Sequence, residues 1–223
     1  MSHHHHEHPD DPARWLSQDF WDERYRSVDR LWSGGVNPQL AANAETLKPG
    51  RALDVGSGEG ADAIWLAERG WQVTAVDISV VALDRSAQRA AEVGPEVAAR
   101  ISWEPADVLT WVPAAGAYDL VSAQFMHLGS PERESLYQRL AAAVRPGGRL
   151  LIVGHHPSDL DTTVGRPDQP HLMPTADQVG ATLDPAEFEI LRADAPTRQV
   201  SDPDGELVTI QDAVLLALRR PAP

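Results

Sequence analysis

Between residues 51 and 153 the chain sets five short apolar runs among segments of helical period, and this alternation restricts its fold more than any other feature. The runs are Arg51–Val55, Gln72–Val76, Ile101–Glu104, Tyr118–Ala123 and Leu150–Val153. Helical stretches over Ala61–Arg69, Val80–Val93 and Pro131–Val144 lie among them. Each is stopped by a breaker: Gly70, Gly94-Pro95 and Pro146-Gly147-Gly148. Strands joined through helices pair in parallel by right-handed crossovers. Helices then cover both faces of the sheet, so its strands need not alternate apolar with polar. Leu150-Leu151-Ile152-Val153, apolar throughout, fits that rule.

The flanks differ. Residues 1–12 are polar, charged and broken by prolines, and read as a disordered tail. His3 to His6 with His8 suit a divalent-metal chelating tail or a purification tag, and neither reading puts a metal in an active site. Residues 13–32 read as helix with aromatic positions at Trp15, Phe20, Trp21, Tyr25 and Trp32, broken by Gly34-Gly35, and a short helix follows over Pro38–Thr46. Residues 155–174 read as a long loop, and Thr175–Leu183 as a capped helix. Glu187–Arg192 and Leu207–Leu218 are strand-like, with Asp202-Pro203-Asp204-Gly205 as the turn between them, which predicts an antiparallel hairpin at the sheet edge. The reading is thus a tail (1–12) and one domain (13–223). The domain comprises a helical lid (13–48), a ligand-binding α/β core (49–154), and a loop, helix and edge hairpin (155–223).

With 19 Lys and Arg against 33 Asp and Glu, the net charge is −14. Such a surface repels phosphate backbones and anionic membranes, so nucleic acid and membrane are not expected partners. The chain has no cysteine. That removes disulfides, Cys-ligated zinc and thiol nucleophiles, and it fits a reducing cytoplasm. No apolar stretch approaches a membrane span, the polar start does not read as a secretion signal, and oligomeric state is not legible.

Chemistry concentrates in Leu53-Asp54-Val55-Gly56-Ser57-Gly58-Glu59-Gly60-Ala61. Glycines after a strand let the backbone approach a ligand, and the next helix presents free N–H groups. Asp77 ends the following strand, where an acid reaches a ribose hydroxyl. Gly56, Gly58 and Ala61 also satisfy the dinucleotide pattern, so an NAD(P)-binding oxidoreductase is one reading. Three features point to a cationic methyl donor instead. Asp54, inside the strand, would repel a pyrophosphate and suits an ammonium or sulfonium. Asp107-Val108 offers an acceptor and an apolar cover for adenine. The N-terminal aromatic residues suit a sulfonium.

On these motifs, residues from about 20 to 153 resemble the class I S-adenosylmethionine-dependent methyltransferases. Leu53–Ala61 resembles their first motif, with Asp54, Gly56, Ser57, Gly58 and Glu59 around the methionine end. Val76-Asp77-Ile78-Ser79 resembles the second motif, Pro105-Ala106-Asp107-Val108 the adenine turn, and Leu120–Phe125 the fourth strand, whose Ala123 and Gln124 face the methyl group. Arg145–Arg149 resembles the turn into strand five. The resemblance implies a Rossmann-like three-layer sandwich with a seven-stranded, mostly parallel sheet closed by the antiparallel hairpin. Phe20-Trp21-Asp22-Glu23-Arg24-Tyr25 and Trp32 resemble more closely the tellurite-resistance and thiopurine methyltransferase group, which implies cofactor contacts for Trp21, Tyr25 and Trp32. Asp77 departs from the glutamate of thiopurine methyltransferases.

Transfer from a sulfonium needs alignment and a dry pocket. A thiol or chalcogen acceptor needs no base near neutral pH, whereas a hydroxyl or amine calls for one. His127 and His155, after strands four and five, are the candidate bases, with Tyr25 as a further donor or base and His156 and His171 behind them. The expected function is methyl transfer to a small molecule. The alternatives are an oxidoreductase and a non-catalytic S-adenosylmethionine-binding module. The loop 155–174 and the aromatic lid imply an acceptor pocket, which favours an enzyme.

Overall fold

The computed structural model describes residues 12–166 and 169–221. The tail and its histidine run therefore lie almost wholly outside the described residues. Among the described residues eight strands form one sheet: β1 (Arg51–Val55), β2 (Gln72–Asp77), β3 (Ile101–Pro105), β4 (Tyr118–Gln124), β5 (Val144–His155), β6 (Phe188–Asp194), β7 (Thr197–Ser201) and β8 (Leu207–Arg219). Seven lie in the order β3-β2-β1-β4-β5-β8-β6, and β7 pairs with β8 off that path. Pairs from β3 through β5 are parallel, whereas β8 is antiparallel to β5 and β6.

The helices among the described residues are α1 (Gln18–Arg26), α2 (Pro38–Ala44), α3 (Ala61–Glu68), α4 (Val80–Val93), α5 (Pro95–Ala98), α6 (Glu132–Ala143) and α7 (Ala176–Gly180). They make the outer layers. Leu40, Leu66, Ala90 and Val97 pack on one face with Ala52, Leu120, Leu151 and Val153. Leu136, Leu140 and Val179 pack on the other with Leu53, Val121, Leu150 and Ile152. The run Leu150–Val153 thus sends alternate side chains into two different cores, which is why every position in it is apolar.

The Rossmann-like fold and its antiparallel closing strands agree with the reading above, and four details correct it. The helix expected over 13–32 is a 3-10 turn (Pro12–Leu16) and then α1, which ends at Arg26. Residues 27–37 run as a strap because core side chains bind its backbone: Glu59 accepts from Leu31 and Trp32 N–H, and Asp62 from Asn37 N–H. Glu187–Arg192 and Leu207–Leu218 do pair, but the Asp202–Gly205 turn joins β8 to β7, a strand the sequence reading omitted. The loop 155–174 contains 3-10 turns at Pro157–Asp161 and Pro170–Leu172. Finally, Pro146-Gly147-Gly148 lies inside β5 as a register shift instead of preceding it. The helix at 176–180 has the expected cap, a reciprocal box between Thr175 and Gln178.

Among the described residues no helix is long and apolar enough to cross a membrane.

Candidate functional site

Sheet order reverses between β1 and β4, and ligands of open α/β sheets bind where the carboxyl ends of such strands diverge. A cleft of about 800 Å³ opens there. Its floor is the β1–α3 loop. Gly56 and Ser57 N–H both donate to Val76 carbonyl (2.8 and 3.0 Å), which pins the loop to β2. Gly58 has φ +51°, and a Cβ there would lie 3.0 Å from Tyr25 Oη and 3.4 Å from Trp32 Nε1. The aromatic lid therefore rests directly on this glycine. Trp32 Nε1 donates to Tyr25 Oη (3.0 Å), and Trp21 leans on Tyr25 with ring centres 6.1 Å apart.

Asp77 binds the loop from below. Its carboxylate accepts from Gly58 N–H (2.8 Å) and Ser79 N–H (2.9 Å) and faces the cleft. Burial raises its pKa against those bonds. Ser79 does not reach the cleft. It is the N-cap of α4, and its Oγ donates to Asp22 Oδ1 (2.6 Å), tying the lid helix to the core. Asp22 has its pKa lowered overall: burial raises it, and the bonds from Ser79, Val81 and Gln18 outweigh that.

Asp54 and Ala123 also sit behind the wall. Asp54 is buried under the first turn of α3, where it accepts from Ala63 N–H, while its Oδ2 has no partner. Burial, then the charges of Asp62 and Asp77, push its pKa well above the carboxylate range. A further carboxylate on the cleft is Asp62, which the sequence reading missed. It accepts from Gln124 Nε2 (2.6 Å) and Asn37 N–H (2.7 Å), and burial raises it to about 6. Gln124 Oε1 and Ser57 Oγ are buried without partners in residues that line the cleft. Such orphaned groups cost free energy unless a ligand pairs them. Glu59 lines the cleft too, with its carboxylate holding the strap and Arg85 at 3.8 Å.

Ile78, Asp107 and Val108 line the far end. Asp107 Oδ1 accepts from Leu109 N–H (2.9 Å), making a tight turn. From outside, the Arg139 guanidinium on α6 donates to the carbonyls of Val108 (2.8 Å), Leu109 (3.3 Å) and Trp111 (2.6 Å). One cation thus sets the shape of the whole turn. Arg139→Met is expected to loosen it and weaken cleft ligands by about three- to tenfold, on the order of 1 kcal/mol. Titration with S-adenosylhomocysteine checks this, and an unchanged affinity would mean that the turn does not grip the ligand.

The opposite end is aromatic. Phe125, just past β4, adopts φ +52°, a left-handed conformation that non-glycine residues hold mainly where surrounding structure forces it. Its ring stacks on His155 (4.5 Å), His155 on His127 (5.4 Å), and Trp15 meets His127 edge-on (5.9 Å). Trp15, an aromatic position of the N-terminal segment, is part of this wall. Burial, reinforced mainly by the Arg166 charge, lowers His127 to about 4 and His155 to about 2. Both rings are neutral at pH 7 and weakly basic. Tyr25 is buried, which raises its pKa, so it is not placed to act as a base. His156 instead caps the 157–161 turn, and His171 is exposed away from the cleft. Arg166, Arg198, Val200 and Ile210 complete the wall.

Residues 52–148 match the family described as "Methyltransferase domain". Curated relatives include the methyltransferase GfsG of Streptomyces halstedii (31% identical; 56% of this chain and 46% of that protein). Another is the probable thiol methyltransferase 2 of Arabidopsis thaliana (32% identical; 60% of each). The chain spans about half to three fifths of the length of these relatives. Among solved structures, the fold matches an S-adenosylmethionine-dependent methyltransferase from Anabaena variabilis (TM-score 0.68, 19% identical, 96% of this chain and 98% of that one). It also matches TehB from Haemophilus influenzae (TM-score 0.67, 19% identical, 91% and 67%).

Proposed function

We propose that this chain, which belongs to the class I S-adenosylmethionine-dependent methyltransferases, methylates a small molecule whose reacting atom is already ionised near neutral pH, with a thiol or reduced chalcogen as the best fit. The cofactor fits the cleft on three observations: a glycine loop that the lid touches, orphaned polar atoms at Ser57 and Gln124, and acids under the floor. When bound, it supplies a methyl group on a sulfonium, an electrophile that needs no further activation. Asp77 then holds the ribose, Asp107 and Val108 the adenine, and Asp62 with Ser57 and Gln124 the methionine end. Trp21, Tyr25 and Trp32 close over it. The name of the thiol methyltransferase relative supports the choice of a soft acceptor.

The observation that carries the acceptor reading is the pair of weakly basic histidines. A general base works best with a pKa near the working pH, and His127 at about 4 and His155 at about 2 lie far below it. Lowered values also mean that neither ring changes charge between pH 6 and 9. A rise that shifts from one acceptor to the next with its own ionisation belongs to the acceptor, whereas a rise common to all of them belongs to the raised carboxyls Asp54, Asp62 and Asp77. The test is turnover of aromatic thiols across this range, beside calorimetric titrations with S-adenosylhomocysteine, NAD and NADP. The rate is expected to track each thiol's ionisation. His127→Asn and His155→Asn are expected to change it less than about tenfold, where loss of a true base costs about 10²–10⁴. A rate set by a histidine, or binding of a nicotinamide cofactor in place of S-adenosylhomocysteine, sinks the reading.

A further inference from the structure

Two guanidiniums line the acceptor end of the cleft, and each is held by one edge only. Arg198 on β7 donates through Nε to both carboxylate oxygens of Asp212 on β8 (3.1 and 2.9 Å). Asp212 is fully buried, while the Arg198 side chain is 30% exposed. Arg166 likewise donates through Nε and Nη2 to buried Asp159 (3.3 and 3.2 Å). Among the described residues, no protein acceptor meets either Nη group of Arg198 or Nη1 of Arg166. A buried carboxylate behind each arginine fixes its plane and leaves the outer N–H groups turned to the cleft. That is an anchored donor fork of the kind that reads carboxylates.

Arg166, Arg198 and His155 all line this cleft. The His155 Nδ1 atom is buried there without a partner. Beside them the surface is flat and aromatic: Phe125, His155, His127 and Trp15 meet in a chain of ring contacts. Asp62 at the start of α3, Asp77 at the end of β2 and Asp107 in the turn after β3 line the same cleft. Acids and guanidiniums thus stand on different walls: acids on the glycine-loop side, where a cationic ligand would sit, and donor forks on β7 and on the segment after residue 161.

We propose that the acceptor is an aromatic carboxylate, its ring against the Phe125–His155 wall and its carboxylate on the outer N–H groups of Arg198, with Arg166 as a second donor. This deepens the reading of the cleft above and rests on it, but its test does not depend on turnover. The probes are 2-naphthoate and 2-naphthamide, which match in shape and differ in charge, titrated into protein saturated with S-adenosylhomocysteine. Naphthoate is expected to bind saturably and at least tenfold tighter than naphthamide. Arg198→Lys keeps the pair with Asp212 but removes the planar fork. Arg198→Met with Asp212→Asn removes both charges together, so no lone buried carboxylate remains. Both variants are expected to bring naphthoate down to the level of naphthamide while S-adenosylhomocysteine affinity stays within about threefold, which also reports an intact fold. Equal binding of the two probes, saturable binding of neither, or a preference that survives both variants overturns the assignment. Failure of S-adenosylhomocysteine to bind the unmodified protein would instead overturn the cofactor reading.

Discussion

Gly60→Val is expected to lower the melting temperature by roughly 8–15 °C and to abolish cofactor binding at the temperatures where the unmodified protein binds it. Gly60 caps α3 with φ +75°. A Cβ there would lie 2.6 Å from Trp103 Cη2 and 2.8 Å from Ser86 Cβ. Neither neighbour yields easily. Trp103 lies on β3, and Ser86 Oγ is committed to the Gly58 and Ala82 carbonyls (3.0 and 2.8 Å). The left-handed backbone costs about 1–3 kcal/mol for a branched residue and the crowding about 1–3 more. Gly70→Ala separates the two terms. It shares the positive φ (+89°), but the nearest atoms to its Cβ would be those of Pro49, at 3.7 and 3.8 Å. It should therefore cost only about 1 kcal/mol. Thermal unfolding followed by circular dichroism reads both. Equal losses for the two variants would mean that crowding against Trp103 and Ser86 contributes nothing.

The same glycine explains what could be read in advance. Gly56, Gly58, Asp77 and Asp107 stand at strand ends, and their meaning comes from local rules: a turn needing positive φ, a helix start, an acid closing a parallel strand. Local rules are legible along a chain. The strap at 27–37 was not, because its backbone is held by Glu59 and Asp62 from another part of the sequence. A pattern of aromatic residues at helical spacing gave no warning of that tertiary override.

β7 was missed for a related reason. Of its five residues only Val200 is apolar, so no hydrophobic period marks it, and its inner face carries Arg198. A signal did exist one strand away. Asp212 directly precedes the apolar run 213–218 of β8, and an acid in such a strand is seldom buried unless paired. That demanded a cation nearby, though nothing in the sequence said that Arg198 would supply it, since the pairing depends on β7 folding back on β8. The aromatic wall of the cleft is likewise a product of distant segments: Trp15 before α1, Phe125 after β4, His155 at the end of β5 and Arg198 on β7. The glycine loop and the acids at the strand ends follow from local motifs and were legible. The aromatic wall is assembled by topology, and only its two histidines stood out.

Asp77→Ala is expected to weaken S-adenosylhomocysteine binding by about 100-fold or more. The carboxylate has two duties. Below, it accepts from Gly58 and Ser79 N–H, joining the glycine loop to the start of α4. Above, it faces the cleft where a ribose would offer hydroxyl donors. Each hydrogen bond to a charged group contributes about 1.5–3 kcal/mol, so losing a bidentate ribose contact alone comes to roughly 3 kcal/mol, or about two orders of magnitude in affinity. Two buried N–H groups would also lose their acceptor, so the loop should loosen and the melting temperature fall. Asp77→Asn isolates the charge. It keeps one oxygen for Gly58 or Ser79 and should retain most of the stability, yet still lose at least tenfold in affinity. Calorimetry of both variants beside thermal melts resolves the two duties. If both bind S-adenosylhomocysteine within threefold of the unmodified protein while melting earlier, Asp77 is a tie within the loop and the ribose is held elsewhere. If affinity falls in both while Asp77→Asn melts normally, the carboxylate acts on the ligand itself.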